Sequence, residues 1–171
     1  MEFPIKIREA MQSDIEQVCL ITDCTPGSQE ILNREMIEER IRNHVDTFLL
    51  ACLDDQVVAY ISGTDFATAL LSSWINDMAN GEAISDRNFV IDGLSVHPEY
   101  QGQGFGTLLL AALKQVALQQ NCPGIYLLCK DEFLSYFEMN EFMEQGMVDV
   151  GVSNEVDFLM WWKNPFHKEE L

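Results

Sequence analysis

Basic side chains are scarce in this sequence. Ten lysines and arginines stand against 28 aspartates and glutamates, a net charge of −18. Nucleic-acid binding depends on basic patches that neutralise phosphates, so nucleic acid is not an expected partner. The same charge would draw in a cationic small molecule, although solubility alone accounts for most of it. Long apolar runs are missing too: none approaches the ~20 residues that span a bilayer, so no membrane partner is expected. "MEFPIKIREA" lacks the basic-then-apolar layout of a secretory leader, which points to a cytoplasmic protein.

Cysteine-pair motifs are also absent. The five cysteines (Cys19, Cys24, Cys52, Cys122, Cys129) are odd in number and scattered. They predict reduced thiols rather than a disulfide frame or a zinc site. His44, His97 and His167 lie too far apart in sequence to suggest a metal cluster, so no metal is expected. What is there is an ordinary folded balance, 47% hydrophobic and 22% charged over 171 residues. That length fits one domain, placed at residues 3–165.

"FPIKIREA" alternates like a half-buried strand. Ser13 to Glu16 reads as a capping box opening a helix through "DIEQVCLITD", broken at Thr25-Pro26-Gly27-Ser28. "NREMIEERIRNH" predicts a second helix, Ile37 and Ile41 on one face and charges on the other. "TFLLACL", "DDQ" and "VVAYISGT" form a hairpin, without the glycine of the strongest turn signals. "FATALLSSWINDM" reads as a short helix and "ANGEAISDRN" as loop. "NFVIDGLSV" is a strand, and "GTLLLAALKQVALQQ" a long helix expected to be mostly buried. "IYLLC", "EFLSYFEMN", "FMEQGMV" and "VDFLMWW" add a strand, a short helix and two closing strands. The order is βααβββαβαββ, an α+β mixed, mostly antiparallel sheet flanked by helices.

Between "NFVIDGLSV" and the long helix stands Gln101-Gly102-Gln103-Gly104-Phe105-Gly106-Thr107. A P-loop needs a lysine after its last glycine, and Thr107 stands there instead. A dinucleotide fingerprint needs GxGxxG early in a βαβ unit, and this run is GxGxG late in the chain. The pattern R/Q-x-x-G-x-G/A between a strand and a long helix does fit. Backbone N–H groups at a helix N-terminus bind a pyrophosphate without cationic side chains, and glycines allow the close approach. The plainer reading, a tight strand-to-helix turn, explains three alternating glycines less well.

With "VIDGLSVHPEYQGQGFGTLLL" and the later "LLCKDEFLSYFEMNEFMEQG", the chain resembles the GNAT acetyltransferase superfamily over nearly its whole length. The second block is similar to the arylalkylamine (serotonin) N-acetyltransferase branch. The resemblance implies that Leu94, Ser95 and Val96 end the strand that pairs with pantetheine, with the Leu94 and Val96 N–H groups polarising the thioester carbonyl. It implies that Gln101, Gly102, Gln103, Gly104, Phe105, Gly106 and Thr107 cradle the pyrophosphate of acetyl-CoA, the cosubstrate. The implied activity is acetyl transfer to a primary amine of a small molecule, an arylalkylamine or polyamine, by direct attack in a ternary complex. A weakly active or non-catalytic acyl-CoA-binding regulatory domain, or a protein N-terminal or lysine acetyltransferase, would carry the same loop. A homodimer is compatible with this layout.

An alkylammonium with a pKa near ~10 must lose a proton before it attacks, and the leaving thiolate needs one. Asp92, the only ionisable side chain in "NFVIDGLSV", is the candidate base. Strand alternation would place it with Leu94 and Val96. The branch has a histidine there, and a hydrogen-bonded structural carboxylate is an equal reading. Asp65, Asp77 and Glu82 are further unranked donors. For the acid, the family's "F-Y-x-x-x-G-F" tyrosine falls on Phe137, which donates nothing and would border the coenzyme, while Glu141 falls on its glycine. Tyr136 is adjacent, but one residue turns a helix by ~100°. His97 suits a turn role and Cys129 a core role. Trp74, Trp161 and Trp162 are packing residues by default and could line an aromatic-amine pocket.

Overall fold

Two aspartates make a two-residue hairpin turn. Asp54 and Asp55 have φ of 50° and 67°, the left-handed pair that a two-residue turn between right-twisted strands demands. Short acidic side chains tolerate this conformation better than most, so the turn closes without glycine. It joins β2 (Phe48–Leu53) to β3 (Gln56–Asp65).

The computed structural model describes residues 4–25, 32–69, 75, 84–148 and 156–169. Around the hairpin lie β1 (Ile5–Glu9), α1 (Ile15–Cys24), α2 (Arg34–Asn43), β4 (Phe89–Val96) and α3 (Phe105–Gln119). Then follow β5 (Gly124–Lys130), α4 (Leu134–Met139), β6 (Met143–Val148) and β7 (Asp157–Lys163). The seven strands form one mixed sheet in the order β1-β2-β3-β4-β5-β7-β6. β4 and β5 run parallel, with Phe89 opposite Ile125 and Val90 opposite Tyr126. Both the element order and the α+β class match the sequence reading. The helix expected over "FATALLSSWINDM" lies largely outside the described residues, as do Trp74, Asp77 and Glu82.

The chain divides into two units. The first, Met1–Thr64 with Asp92–Val116, packs Val18, Ile21, Leu32, Ile37, Ile41, Phe48, Leu50 and Tyr60 into one cluster. Each fully buried aliphatic side chain contributes about 1.5–3 kcal/mol. Three expectations need correcting here. Asp14, not Ser13, holds the start of α1: its carboxylate accepts the Met11 N–H at 2.7 Å and both Arg8 Nη groups at 2.8 Å. Ile5 of β1 is 39% exposed, because β1 pairs only with β2 at the sheet edge. Helix α3 is not mostly buried; Phe105, Leu109, Leu110, Leu113 and Ala117 form a single buried stripe while Leu108 is 43% exposed.

The second unit, Asp65–Ile91 with Ala117–Leu171, is built on β5, β7 and β6. β7 runs antiparallel to both neighbours, with Ile125 opposite Trp162 and Tyr126 opposite Trp161. Tyr126 stacks on Trp161 at 5.7 Å, and a Cβ on Gly124 would come within 2.2 Å of the Trp161 Nε1. Trp162 is 6% exposed, so both tryptophans pack within the sheet. Cys129 is buried, and burial among acidic neighbours pushes its thiol up to about 12, which makes it core rather than nucleophile.

Candidate active site

The site builds from the end of β4. Leu94 and Val96 are half-buried and Ser95 between them is buried. The His97 N–H donates to the Val58 carbonyl of β3 at 2.8 Å, pinning the strand end. The chain then turns through Pro98–Tyr100, closed by the Tyr100 N–H on the His97 carbonyl. His97 Nδ1 accepts the Glu99 N–H at 3.1 Å, so His97 serves the turn. Gln101 reaches back, its Nε2 donating to the Val96 carbonyl at 3.1 Å.

Gly102 and Gly104 have φ of 78° and 89°. Left-handed residues alternating with Gln101 and Gln103 make the kind of turn in which successive backbone N–H groups form an anion-binding concavity. Residues 101–104 are all exposed, and a Cβ on either glycine would meet nothing within 4 Å. Glycine is therefore required for conformation, not for room inside the protein. The Gly104 carbonyl accepts the Leu108 N–H at 3.0 Å and opens α3. Amides ahead of Leu108 precede the helix's own ladder and lie at the positive end of its dipole. Phe105 is buried edge-on against Tyr100, which fixes the angle at which α3 leaves the loop. Gly106 and Thr107 fall in its first turn. Residues 101–107 thus leave β4 for α3 with an exposed loop that carries no cationic side chain.

Two residues before Leu94, Asp92 is 2% exposed. Its Oδ2 accepts from Arg40 Nε of α2 at 2.8 Å, a pair with side-chain exposures of 6% and 2%. Arg40 also pairs with Glu39, which in turn lies 3.6 Å from His44 Nε2. Burial pushes the Asp92 carboxyl above its ordinary range, while the bond to Arg40 and the nearby Ser62 hydroxyl pull it down. Asp92 Oδ1 and the hydroxyls of Ser62 and Thr64 on β3 have no hydrogen-bond partner. Arg40 is the residue that sequence reasoning missed. It sits beside Ile37 and Ile41 on the buried face of α2, so the expected split of apolar and charged faces is incomplete. The signal was present: a lone carboxylate in a buried strand needs a partner, and this chain has only 10 basic residues.

Tyr136 and Phe137 lie on α4, in the second unit, whereas Asp92 and residues 94–107 belong to the first. Phe137 is 9% exposed and packs edge-on against Phe142 at 5.8 Å and Tyr136 at 5.1 Å. Tyr136 is half-buried, and its carbonyl accepts from Asn140 Nδ2. Glu141 has φ of 72°, a left-handed position just past the helix that a glycine would occupy without strain. Among the described residues no group of His, Cys, Asp and Glu could hold a metal ion.

Residues 15–135 match the model of the acetyltransferase (GNAT) family. An acetyltransferase of Pectobacterium atrosepticum is 26% identical over 146 residues, covering 85% of this chain and 90% of that protein. Ard1 from Thermoplasma volcanium superimposes with a TM-score of 0.74 at 20% identity, over 93% of this chain and 97% of that one. The protein yncA from Salmonella typhimurium, solved with its cofactor acetyl-CoA, gives 0.72 at 15% identity over 98% of each. At these identities the solved structures show the fold alone.

Proposed function

Since the chain belongs to the GNAT acetyltransferase family, we propose that it uses acetyl-CoA to acetylate the primary amine of a small cationic molecule, an arylalkylamine or polyamine, by direct attack in a ternary complex. The observation that carries this reading is the loop of alternating left-handed glycines, Gly102 and Gly104, that runs from β4 into α3. Gln101 to Thr107 hold the pyrophosphate through backbone N–H groups, and the N–H groups of Leu94 and Val96 bind the pantetheine arm and the thioester oxygen. The acetyl thioester supplies the activated acyl carbon. Asp92 takes the ammonium proton through Oδ1; at 2% exposure it does so across a bridging water. The leaving thiolate takes its proton from solvent. The net charge of −18 supports a cationic acceptor.

Two measurements test this. Acetyl-CoA should raise the melting temperature, and Gly104→Val should weaken coenzyme binding by about 100-fold or more, because a branched residue at φ of 89° rebuilds the loop. An unchanged thermal shift in that variant would remove the loop assignment. Thiol release against a panel of aryl amines, polyamines and peptides then identifies the acceptor; release only with peptides would replace the small-molecule substrate by a protein one.

A further inference from the structure

Arg40 is a charge in an expensive place. Its side chain is 6% exposed, with apolar Ile37 and Ile41 flanking it on α2. Two charges withdrawn from water are repaid only if their geometry is good and the remaining lone pairs are satisfied. The first condition holds, with Arg40 Nε 2.8 Å from Asp92 Oδ2. The second is not met: the Ser62 hydroxyl lies near enough to act on the carboxylate, yet Asp92 Oδ1 accepts no well-formed hydrogen bond from it or from any other group. A pair serving stability alone would close both carboxylate oxygens, as Arg8 does at Asp14.

We propose that Arg40 is a positioning residue for acetyl transfer: by locking Oδ2 it fixes the Asp92 carboxylate on β4 and leaves Oδ1 as the single oxygen that receives the acceptor's proton. This rests on the acetyl-transfer reading above. The proton leaves the ammonium nitrogen, crosses one bridging water and ends on Oδ1, while the nitrogen keeps the electron pair with which it attacks. The groups acting on Asp92 are Arg40 and, through it, Glu39 from α2, His44 just past that helix, and Tyr60 and Ser62 from β3. Arg40 is the cation bonded to it, so its removal should dominate the carboxylate's titration.

The experiment compares wild type, Arg40→Gln and Arg40→Lys. It records kcat, both KM values and the acid limb of the pH–rate profile, and follows the Asp92 carboxyl by carbon-13 NMR. In Arg40→Gln the midpoint of both the limb and the NMR titration should move up by roughly 1–3 pH units, because an opposite charge in contact has gone. kcat at neutral pH should fall by up to about tenfold per unit of that shift, with KM for acetyl-CoA unchanged. Arg40→Lys keeps the charge but loses the Nε geometry, so it should shift the midpoint less and restore part of kcat. Should Arg40→Gln fail to fold, the lysine variant decides. A folded Arg40 variant that keeps the wild-type midpoint, or loses only acetyl-CoA affinity, overturns the proposal. A wild type that turns over no amine overturns the acetyl-transfer reading, and the proposal with it.

Discussion

Two Arg–Asp pairs among the described residues of the first unit are built to opposite ends. Arg8 grips Asp14 with two bonds of 2.8 Å, and the Met11 N–H adds a third to the same carboxylate. That carboxylate is used up: it ties β1 to the first turn of α1, with Arg8 still 24% exposed. Arg40 makes one bond to Asp92 in full burial and leaves an oxygen over. The pKa directions divide the same way. Arg8 holds Asp14 below its ordinary range, whereas burial pushes Asp92 above it. A carboxylate with both oxygens bonded is held ionised; burial of one that keeps an oxygen over favours its protonated form.

The sharpest way to break this comparison is to remove the arginines. Arg40→Met should cost about 3–5 kcal/mol of stability, because it strands a buried carboxylate. Arg8→Met should cost about 1–3 kcal/mol, since water reaches the end that it exposes. Urea midpoints of the two variants measure the gap, and equal losses would mean that the pairs differ only in depth. Turnover separates them next. Asp92→Asn should lose about 100-fold in rate near neutrality and recover as pH rises, when the amine deprotonates unaided. Asp14→Asn should stay within about twofold at every pH, since it is remote in role from proton transfer. A uniform loss across pH in Asp92→Asn would return Asp92 to a structural part.

The smallest effect is in acid stability, and there the two signs oppose. Asp14 has a folded-state pKa below its ordinary value of 3.8. Its contribution is full above that value and is lost as pH falls through the folded one. Asp92, raised above 3.8, acts the other way: folding takes up a proton, so its contribution falls as pH rises through the window above 3.8. Asp14→Asn should therefore flatten the loss of stability below about pH 4, and Asp92→Asn should not.

The backbone features were the ones legible from the residues. Glycine at 102 and 104 announces a left-handed turn because few other residues enter one, and the step from a period-two run to a long apolar stretch marks β4 and α3. Asp92 stood out as the lone charge in its strand. Its partner did not, because Arg40 lies 52 positions away and pairing over that distance leaves no local pattern. The start of α1 was misread for a similar reason. Ser13 fits a local capping rule, yet Arg8 from β1 makes Asp14 the better anchor. The hairpin went the other way: Asp54-Asp55 is a weak signal by composition, and the strands on either side still impose the turn.

The stacking of Tyr126 on Trp161, and the burial of Trp162 beside it, have an optical consequence. Both indoles sit on β7, in the second unit, and the Trp161 N–H is buried without an acceptor. Emission from these two rings reports the polarity around β5 and β7. Following the Arg40 and Arg8 variants by light therefore calls for a reporter placed among residues 4–25 or 34–43, such as a thiol-reactive dye at the exposed Cys24. The native fluorescence, to which Trp74 also contributes, is then read separately from that reporter.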